Sequence, residues 1–329
     1  MNDIMTATLE FGATSPSISP ADKHISTERL DFRRITPYDM ETIMPYLKRD
    51  KGRTTDFSYG GLLMWVDVFH YESAIVHDTL FVKGRLENNL DIPAYSLPLG
   101  SLPIAQSVTL LRRHSRENEL PLMFSAIPEY ALSQFMELNP RRITLLDGWG
   151  DYLYEAEKLA TLSGKKMAKK RNHVNQYVNM YGVDTFEPID TANIGDVIAF
   201  MTRLKAQSPD YGLSPMAIAE RNAAEKTLHI MAQGGLKYEG GLLRIDGRVV
   251  AYTIGDTKGD TLYIHIEKAD REIAGAYEAI NKYFAAYMLE RYPHIAYINR
   301  EDDAGDAGLR RAKESYHPVS VLKKYNVIF

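Results

Sequence analysis

The chain has 329 residues, 45% hydrophobic and 25% charged, a globular composition with room for about two domains. A formal net charge of -4 excludes a general polyanion binder, so any contact with phosphates must come from a local basic patch. The absence of cysteine excludes disulfides, thiolate metal sites and a thiol nucleophile.

Residues 1–25, rich in Ser, Thr, Pro and Ala, read as a flexible tail that lacks the basic start and apolar run of a secretory signal. No stretch reaches the roughly 18 apolar residues that a membrane span requires, so the expected location is the cytoplasm. Order is expected from about Leu30. Phe32 and Ile35 suit a short strand, Thr36 a helix cap and Pro37 the first helical position, where its missing N–H costs nothing. Met40, Ile43, Met44 and Leu47 then form one apolar helix face. The same series returns at one constant offset: Phe186 and Ile189 in a strand, Asp190 as candidate cap, and Ile194, Val197, Ile198 and Met201 on a helix face.

Later elements follow the same order in both halves. A hairpin turning at His77-Asp78 matches one at Asp246-Gly247, where Asp-Gly between apolar runs is a strong turn signal. A strand follows in each, about 95–100 and 261–267, then a long helix, about 103–117 and 275–291. Each copy closes with a short strand, at 122–125 and 295–299, and another helix. Between the copies, 152–181 has a helical pattern broken at Ser163-Gly164, which predicts two adjacent helices.

The pattern reads as a duplicated α/β unit, with a first lobe over 26–150 and a second over 151–329. The order of strand, helix, hairpin, strand, helix, strand, helix resembles the GNAT N-acyltransferase fold. The expected fold class is therefore α/β, as two tandem GNAT-like mixed-sheet lobes. Ligands in such sheets sit beyond strand ends where the strand order switches.

Four features carry candidate chemistry. Within GKKMAKKRNHVNQY (164–177), Lys165, Lys166, Lys169, Lys170 and Arg171 crowd into seven positions, with His173 close behind. Lys166, Lys169, Lys170 and His173 fall largely on one helix face, opposite Met167, Val174, Val178 and Tyr181. Such a stripe attracts phosphates, and it equally suits an ordinary solvated face. The second feature is INREDDAGDAGLRRAKESYHP (298–318), where acids and Arg300 follow a strand and Asp306 caps a helix; a turn with capping acids would look the same. Third, Glu267 ends a predicted strand, where a carboxylate suits proton transfer from an attacking amine or a plain exposed position. Glu239 is a weaker counterpart. Fourth, ADREIAGAYEA stands where the GNAT fold places a Gly-rich pyrophosphate turn. Gly275 is present, but Tyr277 occupies the place of a small residue and Arg271 is one position out of register.

Walker A, G-x-G-x-x-G, H-E-x-x-H and G-x-S-x-G motifs are missing. The nine histidines show no metal-ligand spacing, so no metal is expected. The 21 tyrosines read as amphipathic core and cleft residues.

The segments DYLYEAEKLATLSGKKMAKKRNHVNQY (151–177), YINREDDAGDAGLRRAKESYHPV (297–319) and DFSYGGLLMW (56–65) resemble a bacterial family grouped with the soluble C-terminal part of phosphatidylglycerol lysyltransferase. That family is a tandem GNAT-like fold related to the Fem peptidyltransferases. Its lipid-modifying members move an amino acid from aminoacyl-tRNA to phosphatidylglycerol and carry a membrane domain ahead of the catalytic part. The resemblance implies a donor site on Lys165, Lys166, Lys169, Lys170 and Arg171, to which the stripe adds His173. Catalytic candidates are Glu267, Asn299, Glu301 and Asp302, and Arg300, Lys313 and Tyr316 belong to the same block. The second lobe is expected to hold the working site. Three functions stay open. One is aminoacyl transfer from aminoacyl-tRNA, bound through the basic helix, to a small-molecule, peptide or lipid head-group acceptor. The second is transfer from acyl-CoA with Arg271 and Gly275 at the pyrophosphate, and the third is a non-catalytic binding module.

Overall fold

The structure is a computed structural model that describes residues 8–10, 28–183, 185–207, 215–234 and 238–329. In the first half, β1 (Thr8–Glu10) and β2 (Arg33–Arg34) precede α1 (Met40–Leu47) and α2 (Tyr59–Met64). There follow β3 (Glu72–Val76), β4 (Thr79–Leu86), β5 (Asn89–Tyr95), β6 (Leu99–Gly100), α3 (Ile104–Glu117), β7 (Met123–Pro128), α4 (Leu132–Met136) and β8 (Arg142–Leu145). The second half contains β9 (Asp151–Glu155), α5 (Ala156–Thr161), α6 (Ala168–Tyr181), β10 (Phe186–Pro188), α7 (Ile194–Gln207), α8 (Pro215–Ala232), β11 (Glu239–Ile245), β12 (Arg248–Lys258) and β13 (Thr261–Ala269). It closes with α9 (Ala276–Arg291), β14 (Tyr297–Asn299), α10 (Ala307–Glu314), β15 (Ser320–Leu322) and β16 (Lys324–Ile328).

Two mixed sheets result, nine-stranded in the order β1-β8-β16-β7-β5-β4-β3-β2, with β6 on β4, and seven-stranded in the order β10-β11-β12-β13-β14-β9-β15. The repeated series is visible in both. β2–α1 corresponds to β10–α7, and Asp39 accepts hydrogen bonds from the backbone and hydroxyl of Thr36 at the first helix start. Both hairpins turn through left-handed residues, His77 (φ 48°) and Asp78 (φ 51°) in one, Asp246 (φ 47°) and Gly247 (φ 76°) in the other, as two-residue hairpin turns demand. Each half has one parallel pair that opens beyond a short contact, β5 with β7 at Tyr95↔Phe124 and β13 with β14 over three residues.

Four expectations need correction. The strand placed at 95–100 ends at Tyr95 instead, and the chain returns as β6 to pair with β4 at Thr79 and Leu80. Residues 152–155 are strand, not helix, because β9 is taken up between β14 and β15. The helix α8 has no predicted counterpart. Within the tail expected over 1–25, β1 pairs with β8; the other residues of that span lie outside the described residues.

Residues 324–328 return to the first sheet, where β16 inserts between β7 and β8. The halves also share a core: Met64 of α2 packs with Val197, Phe200, Leu242, Ile254 and Ile266. The other face of the second sheet is covered by α5, α6 and α9 through Leu159, Val174, Phe284 and Met288. Burying side chains of this size contributes about 1.5–3 kcal/mol each, which fixes the lobes against one another.

Candidate active site

The site begins where two strands part. β13 and β14 pair in parallel over Thr261↔Tyr297, Leu262↔Ile298 and Tyr263↔Asn299, and no further. β13 continues along β12, whereas the chain after Asn299 turns away through Glu301 at φ 57°. One residue is inserted in β13 within this stretch: Ile254 pairs with Ile266 and Gly255 with Ile264, leaving His265 as the bulge. A bulge re-aims the side chains that follow it. Ile266 accordingly joins the core beneath α2, while Glu267 faces α9.

A row of alternating charges lines the α9 side of the opening. His173 Nδ1 lies 3.0 Å and Lys170 Nζ 3.2 Å from the Glu278 carboxylate. Lys170 Nζ is 4.1 Å from the Tyr316 ring centroid, and the Arg300 guanidinium lies 4.7 Å from the same ring. Arg300 Nη2 donates to Glu267 at 2.7 Å, and Asn281 Nδ2 donates to the other Glu267 oxygen at 3.1 Å. Arg300 and Glu267 are only 12% and 11% exposed at their side chains. Two buried polar atoms here have no hydrogen-bond partner among the described residues, Arg300 Nη1 and Asn281 Oδ1. Burial lowers the Lys170 ammonium despite Glu278. Burial also opposes ionisation of Glu278, but the hydrogen bonds from His173 and Lys170 outweigh it and hold that carboxyl low. For Arg300, burial is outweighed by Glu267 and by Tyr154 and Tyr316, so the guanidinium stays charged.

A second polar cluster lies on the opposite side of β13, in the seam between the lobes. His265 Nε2 meets Asp256 at 2.7 Å and His265 Nδ1 meets Glu301 at 2.7 Å. Burial disfavours the imidazolium, but these two carboxylates outweigh it and raise the ring to about 10. Nearby, Lys324 Nζ lies 2.8 Å from both Asp56 and Asp151. Asp151 accepts from Thr55 N at 2.6 Å and from Asn299 Nδ2 at 2.9 Å. Arg53–Asp260 and Lys258–Asp50 add ion pairs at 2.7 Å and 2.6 Å.

With this geometry established, comparison with known proteins places the chain. Residues 49–328 match the family described as phosphatidylglycerol lysyltransferase, C-terminal. The chain belongs to that family.

This family member is similar to a conserved protein of unknown function from Bacteroides thetaiotaomicron, at 30% identity and TM-score 0.84, covering 91% of this chain and 99% of that one. L-PGS from Bacillus licheniformis matches at TM-score 0.57 and 15% identity, over 88% of this chain and 90% of that one. FemX matches at TM-score 0.58 and 9% identity, over 91% and 98%. The last two likenesses are of fold, that of tandem GNAT-like acyltransferases. A protein from Mycoplasmoides gallisepticum is 27% identical over 179 residues; the match spans 54% of this chain and 55% of that relative. Family and fold together are those of aminoacyl- and acyltransferases. Among the described residues, no helix is long and apolar enough to cross a membrane.

The residues singled out in the sequence of this family member separate into three groups. Glu267, Lys170, His173, Arg300 and Tyr316 meet in the opening. Glu267 lies within β13, which runs on to Ala269, and not at the strand's end. Asn299, Glu301, Asp302 and Lys313 do not join them. Asn299 is fully buried and binds Asp151 and the Arg53 carbonyl. Glu301 is held by His265, and Asp302 accepts from Ala304 N at 2.9 Å. Asp302 is pushed up to about 7, chiefly by burial. The Lys313 ammonium donates to the carbonyls of Arg300 and Asp302, so it holds the loop's shape and is not presented to a phosphate.

The basic helix is divided as well. The helix begins at Ala168, so Lys165 and Lys166 lie in the turn ahead of α6 and not on it as expected; both are exposed, as is Lys169. Lys170 and His173 turn inward to Glu278, and Arg171 caps the end of α5 through the carbonyls of Leu162 and Gly164. A uniform stripe is therefore not what the helix presents: Val174 and Tyr177 are its buried positions, and a turn of it rests on the α9 entry. That contact answers the pyrophosphate expectation. Gly275 takes φ 81°, and a Cβ there would collide with the His173 carbonyl. Three of the turn's amides are already used, Glu272 N by Asp270 Oδ1, Ile273 N by Asp270 O and Ala276 N by Ile273 O. Arg271 is exposed outside the opening. These residues do not fit a CoA pyrophosphate.

His265, Asp256, Asn281 and Glu278 were not singled out in advance. The available signal was a lone histidine inside the apolar strand TLYIHIEKA, which by pattern alone also suits a core residue.

Proposed function

We propose that the protein transfers an aminoacyl group from an aminoacyl-tRNA to an amine or hydroxyl acceptor, with the opening between β13 and β14 as the acyl site. The observation that carries the reading is Arg300 Nη1, which has no hydrogen-bond partner among the described residues, in a nearly closed, charge-lined opening. An aminoacyl ester is already activated, so positioning supplies much of the catalysis. Glu267, with Asn281 Oδ1 beside it, suits the donor's α-ammonium. Arg300 Nη1 would donate to the carbonyl oxygen as negative charge develops there. The acceptor's nitrogen or oxygen forms a bond to the carbonyl carbon, the ester C–O bond breaks, and the acceptor's proton ends on the departing ribose hydroxyl. Glu267 accepts two hydrogen bonds, one from a guanidinium, which makes it a better anchor than a base. Lys165, Lys166 and Lys169 would meet tRNA phosphates.

A binding module on the same fold is favoured by one observation, the use of Asn299 and Glu301 in the seam rather than in the opening. One experiment separates the two. Nucleic acid copurifying with the native protein is sequenced, and mixed aminoacyl-tRNAs are then incubated with the protein and pooled amine acceptors. Bound tRNA and acceptor-dependent loss of one aminoacyl ester support transfer. Bound tRNA whose ester survives supports the module, and a protein that retains no tRNA and leaves every ester intact sinks the transfer reading.

A further inference from the structure

We infer that His265 is a positioning residue: from the interlobe seam, through Glu301, it sets the Arg300 guanidinium in the opening on the far side of β13. The inference rests on the reading of Arg300 as the group that meets the transferred carbonyl.

The backbone ladder between β13 and β14 stops at Tyr263↔Asn299. Side chains continue it. His265 pairs with Glu301 at 2.7 Å, and two residues further along β13 Glu267 pairs with Arg300 at 2.7 Å. β13 thus supplies a cation then an anion, and the loop supplies their complements in reverse order. The bulge at His265 puts these two pairs on opposite faces, one toward the seam and one toward α9. Arg300 and Glu301 are adjacent, so fixing one carboxylate from below fixes the guanidinium above.

Glu301 pays a conformational cost for this role. Its φ of 57° lies in the left-handed region, which is strained for a non-glycine residue. Such a conformation persists where its surroundings over-determine it. Three contacts do so: His265, the Thr55 hydroxyl at 3.2 Å, and the Asn299 side chain, which accepts from Glu301 N at 2.7 Å. Both ring nitrogens of His265 face carboxylates, so both donate only when the ring is doubly protonated.

The first lobe holds the other end. Gly60 N donates to Asp256 at 3.0 Å, and the Gly60 Cα lies so close that a Cβ would collide with His265 and Tyr238. Tyr238 OH donates to the Gly60 carbonyl at 2.9 Å and its ring meets His265 edge-on at 5.9 Å. The segment Thr55–Gly60 of one lobe therefore sets the loop that carries Arg300 in the other.

The test reads Arg300 itself in the full-length chain, by phenylglyoxal labelling followed by peptide mass spectrometry, with the exposed Arg271 as internal standard. Glu301→Ala and Gly60→Ala should raise Arg300 labelling on the order of tenfold, as expected when a closed state loses a charged hydrogen bond. Glu301→Gln keeps an oxygen for His265 and should restore near-native protection. Thr55→Val, which loses a single hydroxyl, is the variant certain to be informative if the others melt, and it should raise labelling in the same direction. Unchanged Arg300 labelling in folded Thr55→Val and Glu301→Ala proteins overturns the inference. The readout is independent of turnover: labelling that moves in a protein inert toward aminoacyl-tRNA defeats the transfer reading alone, and labelling that stays fixed in an active protein defeats the positioning role alone.

Discussion

Arg300 and Glu267 meet at 2.7 Å across a place where their two strands have stopped hydrogen-bonding. A parallel pair that opens must satisfy its freed edges or leave them for a ligand. Here one guanidinium nitrogen closes on Glu267, and the other has no hydrogen-bond partner among the described residues. The pair therefore does two things at once: it braces the opening and presents a charged donor within it.

Removing one member of this pair should cost far more than removing both. Glu267→Leu alone leaves a buried guanidinium uncompensated, and the expected loss is about 3 kcal/mol. Adding Arg300→Met should recover most of it. Urea unfolding of the two single variants and the double variant closes the cycle. Equal losses in all three would mean that the opening is wet enough for the charges not to depend on one another.

Stability should fall with alkalinity in two separate windows. Glu87 is pushed up to about 7 by burial, with Asp56 adding to the effect, from an ordinary value near 4.5. Its folded form binds a proton that the unfolded chain has lost, so stability declines as pH rises from about 4.5 to about 7. His265, raised from 6.5 to about 10, contributes fully below pH 6.5 and loses that contribution as pH rises toward 10. Each group contributes at most about 1.4 kcal/mol per pH unit. Unfolding midpoints followed from pH 5 to pH 10 should lose part of the lower slope in Glu87→Gln, the rest belonging to Asp302, which burial also raises to about 7, and should lose the upper slope in His265→Gln. A flat wild-type profile across both windows would contradict these assignments.

The α9 entry should be indifferent to CoA. Three of its amides are held by Asp270 and Ile273, and the His173 carbonyl lies against Gly275. CoA should therefore leave the melting temperature unchanged. Gly275→Ala should cost roughly 1–2 kcal/mol from the positive φ, with the clash adding to it. A CoA-dependent rise in melting temperature that Gly275→Ala abolishes would reinstate a pyrophosphate site.

Much of the fold is legible in the sequence because it rests on local rules. The repeated helix faces, the Asp246-Gly247 turn and the Asp306 cap each depend on residues a few positions apart. The return of β16 to the first sheet does not: Tyr325 finds Ile127 and Leu145, and nothing near residue 325 announces those partners. The candidate site divides in the same way. Arg300 and the lysines of 165–170 stand out by density of charge. His265 does not, because its meaning depends on a one-residue bulge that turns it toward Asp256 and sends Glu267 to the other face. The same limit explains why the 299–302 block reads as one catalytic group: Arg300 serves the α9 side of the sheet, whereas Asn299 and Glu301 serve the seam.

The exposed lysines at 165, 166 and 169 and the inward Lys170 should respond differently to substitution. Each phosphate contact adds a slope of about -0.7 to -0.9 to the dependence of log affinity on log salt. Lys165→Gln, Lys166→Gln and Lys169→Gln, all at exposed positions, should each weaken tRNA binding and flatten that slope by about one such increment. Lys170→Gln removes a partner of Glu278 and a cation resting on Tyr316, so it should leave the slope nearly unchanged and impair aminoacyl transfer instead. Filter binding of bulk tRNA over a range of salt, beside a single-turnover transfer assay, measures both. If Lys170→Gln changed the slope as much as Lys169→Gln does, the inward lysine would be contacting phosphate, and the division of this helix into an outer docking face and an inner site face would have to be given up.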